Sequence, residues 1–138
     1  MFLIYLFLLG YLMFFSEGMG RTQGPRFSYN LVPFREIQRC IRHWRAMGLF
    51  HALLNLAGNV AAFVPFGYFL PKLLKSARGF FAVLFTTMFF SLCLEVLQLL
   101  TQVGSFDVDD ILLNTLGGIL GYICYLIFRK KNVKKEKI

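Results

Sequence analysis

The chain has 138 residues, 57% of them apolar and 17% aromatic, with a net charge of +8. Soluble domains use roughly 45–50% apolar residues, so this balance, with a mean hydropathy of +0.62, excludes an ordinary soluble globular fold. The charges fall in short clusters between long uncharged runs, and a single all-α membrane domain over 1–138 is expected, with no nucleic-acid partner.

The first apolar run, Met1–Phe15, is about 22 Å long at 1.5 Å per helical residue, short of a hydrocarbon core of about 30 Å. No basic residue precedes it and the chain continues Ser16-Glu17-Gly18-Met19-Gly20, so a retained short span fits better than a signal peptide. A loop with six arginines follows: Arg21, Arg26, Arg35, Arg39, Arg42 and Arg45. Within it Phe34, Ile37, Ile41 and Trp44 recur at helical spacing, while Arg35, Arg39 and Arg42 project from another face. Pro33 suits a first helical turn. This spacing predicts an amphipathic helix in the headgroup layer, its arginines among lipid phosphates; ordinary snorkelling is the plainer alternative. His43 and His51 are read as interfacial side chains, and Cys40 as a lone loop cysteine.

Three longer runs follow, Leu49–Leu70, Gly79–Leu100 and Ile111–Phe128, and without period-2 alternation they are predicted to be spanning helices. The first carries Asn55 and Asn59 and, at Pro65, a kink or a break. The second places Ser91, Glu95 and Gln98 on one face. The third opens with Asp109 and Asp110 and continues one stripe through Asn114, Gly117 and Gly121, the last two at the spacing that lets helix backbones approach closely. Cys93 and Cys124 lie inside spans as small apolar residues, and no disulfide framework is suggested.

With four spans, the turn bearing Lys72, Lys75 and Arg78 shares a side with the basic tail 129–138. The other side holds the arginine loop and the turn Thr101–Asp110, which has no Lys or Arg. Nine basic residues against six put the tail in the cytoplasm, where it would rest against anionic lipid. Chain direction then brings the start of the second span, the end of the third and the start of the fourth to one leaflet. Asn55, Asn59, Glu95, Gln98, Asp109, Asp110 and Asn114 would share a polar pocket there. The plainer alternative is that these groups hydrogen-bond helices together, for about 0.6–2 kcal/mol per contact.

Motifs in order along the chain resemble the VanZ-like family of bacterial membrane proteins. They are Asn30-Leu31-Val32-Pro33-Phe34, Asn55 with Gly58-Asn59, Phe63-Val64-Pro65-Phe66-Gly67, Ser91 with Glu95 and Gln98, Phe106-Asp107-Val108-Asp109-Asp110, and Asn114-Thr115-Leu116-Gly117-Gly118. The resemblance covers about residues 27–125. It implies a multi-helix membrane domain associated with reduced susceptibility to teicoplanin, and it marks Asn30, Asn55, Asn59, Glu95, Gln98, Asp107, Asp110 and Asn114 as shared polar residues. Where relatives often have an arginine before Gly104-Ser105-Phe106, this chain has Val103, which weakens an anion site in that turn.

Three functions follow as expectations. The first is a non-enzymatic envelope protein that binds an anionic lipid or a lipid-linked cell-wall precursor at the outer leaflet, Arg35, Arg39 and Arg42 meeting phosphate. The second is a membrane enzyme acting on a lipid phosphate with Glu95 and Asp110 as acid and base or as ligands of a hard cation. No nucleophile motif, His pair or phosphate-gripping loop supports it, and neither cofactor nor resident metal is expected. The third is a proton-coupled carrier using Glu95, for which four helices would require a homo-oligomer.

Overall fold

The computed structural model describes the backbone of residues 1–15, 29–47 and 49–135, and side chains for 1–14, 29–43 and 56–130. Arg21 and Arg26 lie outside the described residues, as do the side chains of Trp44, Arg45, His51 and Asn55. The described chain is all-helical apart from one short strand pair. Its elements are α1 (Phe2–Phe15), β1 (Tyr29–Asn30), α2 (Arg35–Met47), α3 (Leu49–Leu73), a single 3₁₀ turn (Lys75–Ala77), α4 (Phe80–Thr101), β2 (Phe106–Asp107) and α5 (Val108–Lys135).

Among the described residues, Phe80–Thr101 and Val108–Lys130 are long and apolar enough to cross a membrane, whereas Phe2–Phe14 is shorter. The side chains that α4 turns outward are large and apolar: Phe81, Phe89 and Leu100 are 68%, 66% and 68% exposed. In water such a face would be costly, because about 25 cal/mol is lost for each Å² of apolar surface left wet.

α3 and α5 form the centre of the bundle. A Cβ on Gly117 would strike the Val60 carbonyl, one on Gly121 would lie 2.8 Å from the Tyr68 nitrogen, and one on Gly67 would overlap the Gly118 backbone. The two backbones are thus in direct contact over about two helical turns of α3, which only glycine allows. On the other side of Gly118 stands Thr87 of α4, whose side-chain atoms would be 2.6 Å from an added Cβ. Apolar packing fills the rest: Phe63 and Phe66 are buried, and Phe66 stacks on Phe90 with centroids 4.8 Å apart.

α3 runs unbroken through Pro65 and Pro71. A proline has no N–H for the carbonyl four residues back, so Pro65 leaves the Ala61 carbonyl without its helical donor, one residue before Ala62. There the Tyr5 hydroxyl donates to the Ala62 carbonyl at 2.6 Å, and Phe2 packs against Phe66 and Phe69. These contacts lay α1 along α3, its last turn at the end of α4 that carries Gln98, whose amide donates to the Met13 carbonyl at 2.8 Å.

Several boundaries differ from those expected. α5 begins at Val108 rather than Ile111 and continues through most of the basic tail to Lys135, so Asp109 and Asp110 belong to its first turn. Cys40 is not in a loop: it lies in α2 and is buried. The parallel pairing of Tyr29 with Phe106 and Asn30 with Asp107 has no signature in the hydropathy pattern, since two-residue strands are too short to show alternation.

Candidate functional site

The buried polar residues gather where β1, β2, α2, α4 and α5 meet. Asn30, Ser91, Glu95, Gln98, Asp107, Asp109, Asp110 and Asn114 are all buried, and Asp109 is fully so. Such groups are tolerated inside a protein only when donors and acceptors are matched. Their partners therefore show what each one does.

Asp109 is committed to α2. Its Oδ1 accepts the Phe34 N–H, and its Oδ2 accepts the N–H groups of Glu36 and Ile37 at 2.8 and 3.2 Å. Those are the donors a helix leaves unpaired in its first turn. A carboxylate from another helix thus does the work of a local cap, with its charge at the positive end of the α2 dipole. Phe34 adopts φ 65° just before the helix, a left-handed conformation that costs a non-glycine residue about 1–3 kcal/mol. The bonds to Asp109 offset that cost.

Asp107 binds the strand that leads into α2. The Asn30 amide donates to both its oxygens at 3.2 and 3.4 Å, its Oδ1 also accepts the Asp109 N–H at 2.8 Å, and Asn30 Oδ1 accepts the Val32 N–H at 3.2 Å. Burial pushes the Asp107 carboxyl above the usual aspartate range; the bonds from Asp109 and Asn30 oppose this, and the nearby charges of Asp109 and Glu36 add to it.

Deeper in the bundle the Glu95 carboxylate accepts the Asp107 N–H at 2.8 Å. Asp110 Oδ1 accepts the Asn59 amide at 2.6 Å, tying α5 to α3, and the Asn114 amide donates to Ser91 Oγ at 2.9 Å, tying α5 to α4. Of the residues that sequence reasoning placed in one pocket, the structure brings Asn59 to Asp110 and Glu95 to Asp107. It carries Gln98 to the end of α1 and Asp109 to the start of α2. Asn55 lies in α3 with its side chain outside the described residues. Among the described residues no group of three or more His, Cys, Asp or Glu is arranged to hold a metal ion.

The clasp has an outer face. Arg35, Arg39 and Arg42 are exposed on α2, with Phe34 at 56% and Ile41 at 63% exposure beside them. Arg39 pairs with Glu36 at 2.9 Å, an i,i+3 contact on an exposed surface and worth little by itself. Sequence reasoning missed Asn30 as a direct partner of Asp107 and Asp109 as the cap of α2. The nearest signal was the motif around Asn30, quoted only as part of a resemblance.

A helical bundle with membrane-length helices, joined at one end by a buried polar clasp that carries a basic amphipathic helix, defines the structural class. The chain belongs to the VanZ/LLP1 family, whose model matches residues 2–129. It is similar to Protein VanZ of Enterococcus faecium, 31% identical over 109 residues. That alignment takes in 79% of this chain, which spans 59% of the length of the relative. No solved structure matches the chain. Family membership and the two apolar helices together support a membrane protein.

Proposed function

We propose that the chain is an integral protein of the bacterial cytoplasmic membrane. In this reading α1, α3, α4 and α5 cross the bilayer, α2 lies in the outer headgroup layer and the C-terminus is cytoplasmic. Its function is to engage an anionic lipid or a lipid-linked wall precursor at the outer leaflet, and so to alter susceptibility to teicoplanin-type glycopeptides.

The observation that carries this reading is the cross-chain capping of α2 by Asp109. A buried carboxylate fixes the helix whose exposed surface bears Arg35, Arg39 and Arg42 beside Phe34 and Ile41. Guanidinium groups pair bidentately with phosphate oxygens, while apolar neighbours favour acyl chains. Fixing the helix in advance lowers the ordering cost of binding. The carboxylates of Glu95 and Asp110, the pair an acid–base reading would use, already hold the Asp107 N–H and the Asn59 amide, which suits a scaffold that presents α2 better than a pair open to substrate.

The direct test is equilibrium binding of a lipid-linked wall precursor to the protein in nanodiscs of neutral lipid. The R35A/R39A/R42A variant should bind at least tenfold more weakly, equivalent to about 1.4 kcal/mol, and wild-type affinity should fall with added salt. Equal affinity in the two proteins would remove α2 as the contact surface.

A further inference from the structure

At the end of the bundle opposite the clasp, α3 finishes, α4 begins and α5 runs on past both. The charge there is of one sign. Lys72, Lys75, Arg78, Arg129 and Lys130 are all exposed. The acidic residues whose side chains are described, Glu36, Glu95, Asp107, Asp109 and Asp110, belong to the clasp or to α2. Among the described residues, therefore, no carboxylate stands at this end to neutralise the five cations. Like charges gathered in this way repel, so packing has to hold them.

Two tyrosines do so. The Tyr122 hydroxyl donates to the Arg78 carbonyl at 2.9 Å, and its ring lies 6.3 Å from that of Phe80, so the turn between α3 and α4 is fastened to α5. Arg129 follows on the same face of α5, about two turns or 10 Å beyond Tyr122. On α3, Lys72 Nζ donates to the Tyr68 hydroxyl at 2.7 Å, and the Tyr68 ring packs edge-on against Phe128, the neighbour of Arg129. Cations from two helices and the turn are thereby set around one rim. Beside them in the chain Leu74, Phe80, Phe81 and Phe128 are exposed. A soluble anion would leave these side chains wet. A ligand with an anionic headgroup and acyl chains satisfies both features, its phosphate among the cations and its chains over the apolar rim.

We infer that this rim is a second lipid site, distinct from α2, and that its ligand is an anionic glycerophospholipid. Lys75, Arg78 and Arg129 hold the phosphate, and the acyl chains lie against Leu74, Phe80 and Phe81. The lipid joins the α3–α4 turn to α5 by charge, at the end of the bundle where no buried clasp does so. With the C-terminus in the cytoplasm it is a lipid of the inner leaflet, and the inference rests on the membrane embedding proposed above.

Hydrogen exchange of the full chain in nanodiscs tests it, comparing phosphatidylcholine alone with phosphatidylcholine mixed with phosphatidylglycerol. The Leu74 and Ala77 amides close the turn on the Leu70 and Leu74 carbonyls. With phosphatidylglycerol their exchange should slow roughly fivefold, the effect of one cation's attraction to an anionic surface. R35A/R39A/R42A and the charge-conserving K75R/R78K/R129K should show the same slowing, and K75A/R78A/R129A none. Unchanged exchange in the wild-type chain, or equal slowing in K75A/R78A/R129A, would overturn the site. Slowing that disappears in R35A/R39A/R42A would overturn it too, by tracing the effect to α2. Equal protection by soluble glycerol phosphate in neutral nanodiscs would overturn the lipid as occupant. Acyl-chain contacts to Phe85, read by NMR in the same nanodiscs, separate the two failures. With those contacts present an unchanged turn sinks the site alone, and without them the embedding itself falls.

Discussion

Asp109 illustrates how a buried carboxylate can serve architecture. Replacing it with Ala leaves the N–H groups of Phe34, Glu36 and Ile37 without their acceptor. A single lost cap costs about 1 kcal/mol, and three donors sharing one carboxylate should cost on the order of 2 kcal/mol. Hydrogen exchange at the Glu36 and Ile37 amides should accelerate at least tenfold in D109A, with α4 unaffected; unchanged protection would mean that α2 does not depend on this bond. Asp107 is expected to show a pH signature. Its carboxyl is raised by burial, so the folded state holds the proton more tightly than the unfolded chain does. The ionised form is therefore a destabilising contribution above the folded pKa. It fades as pH falls through that value and is gone below the unfolded value of about 3.9. Relative to D107N, which lacks this proton, the wild-type chain should gain resistance to thermal unfolding as pH is lowered through that window. Parallel pH profiles for the two proteins would contradict this.

The helices themselves were legible because uninterrupted apolar runs such as Phe80–Thr101 leave few alternatives, and the spacing of Phe34, Ile37 and Ile41 against the arginines pointed to α2. What lay beyond the sequence was whatever depends on contacts distant along the chain. The pairing of Asn30 with Asp107 spans 77 positions, and the Tyr5 bond to the Ala62 carbonyl spans 57; no local periodicity encodes either. Hydropathy alone bounds the last apolar run at Ile111, but the stripe that starts at Asp109 and Asp110 already put both at the opening of the helix, where acidic residues suit the N-terminus. Glycines divide by the same logic. Gly121→Leu forces α5 off the Val64–Tyr68 stretch of α3 and should cost at least the roughly 1–3 kcal/mol of an overpacked core. Gly58→Ala meets nothing within 4 Å and should be neutral or stabilising by up to about 1 kcal/mol. Thermal unfolding in detergent separates the two, and equal effects would contradict the close α3–α5 packing.

For the whole molecule, the structure and the family place apolar helices around a polar end and a basic helix on the outside of that end. The proposal joins these: a buried clasp, costly to build in an apolar interior, is kept because it fixes the surface that meets an anionic headgroup. Glu95 stands at its root, holding the Asp107 N–H. Glu95→Gln retains an acceptor oxygen for the Asp107 N–H, so it should preserve membrane abundance and the seat of α2. The decisive measurement is teicoplanin susceptibility of bacteria expressing the wild-type chain or R35A/R39A/R42A at matched membrane abundance. Wild type should raise the concentration needed to stop growth, and the triple variant should bring it back to that of cells lacking the protein. Full protection by the variant would show that the arginine surface of α2 is not how this protein acts.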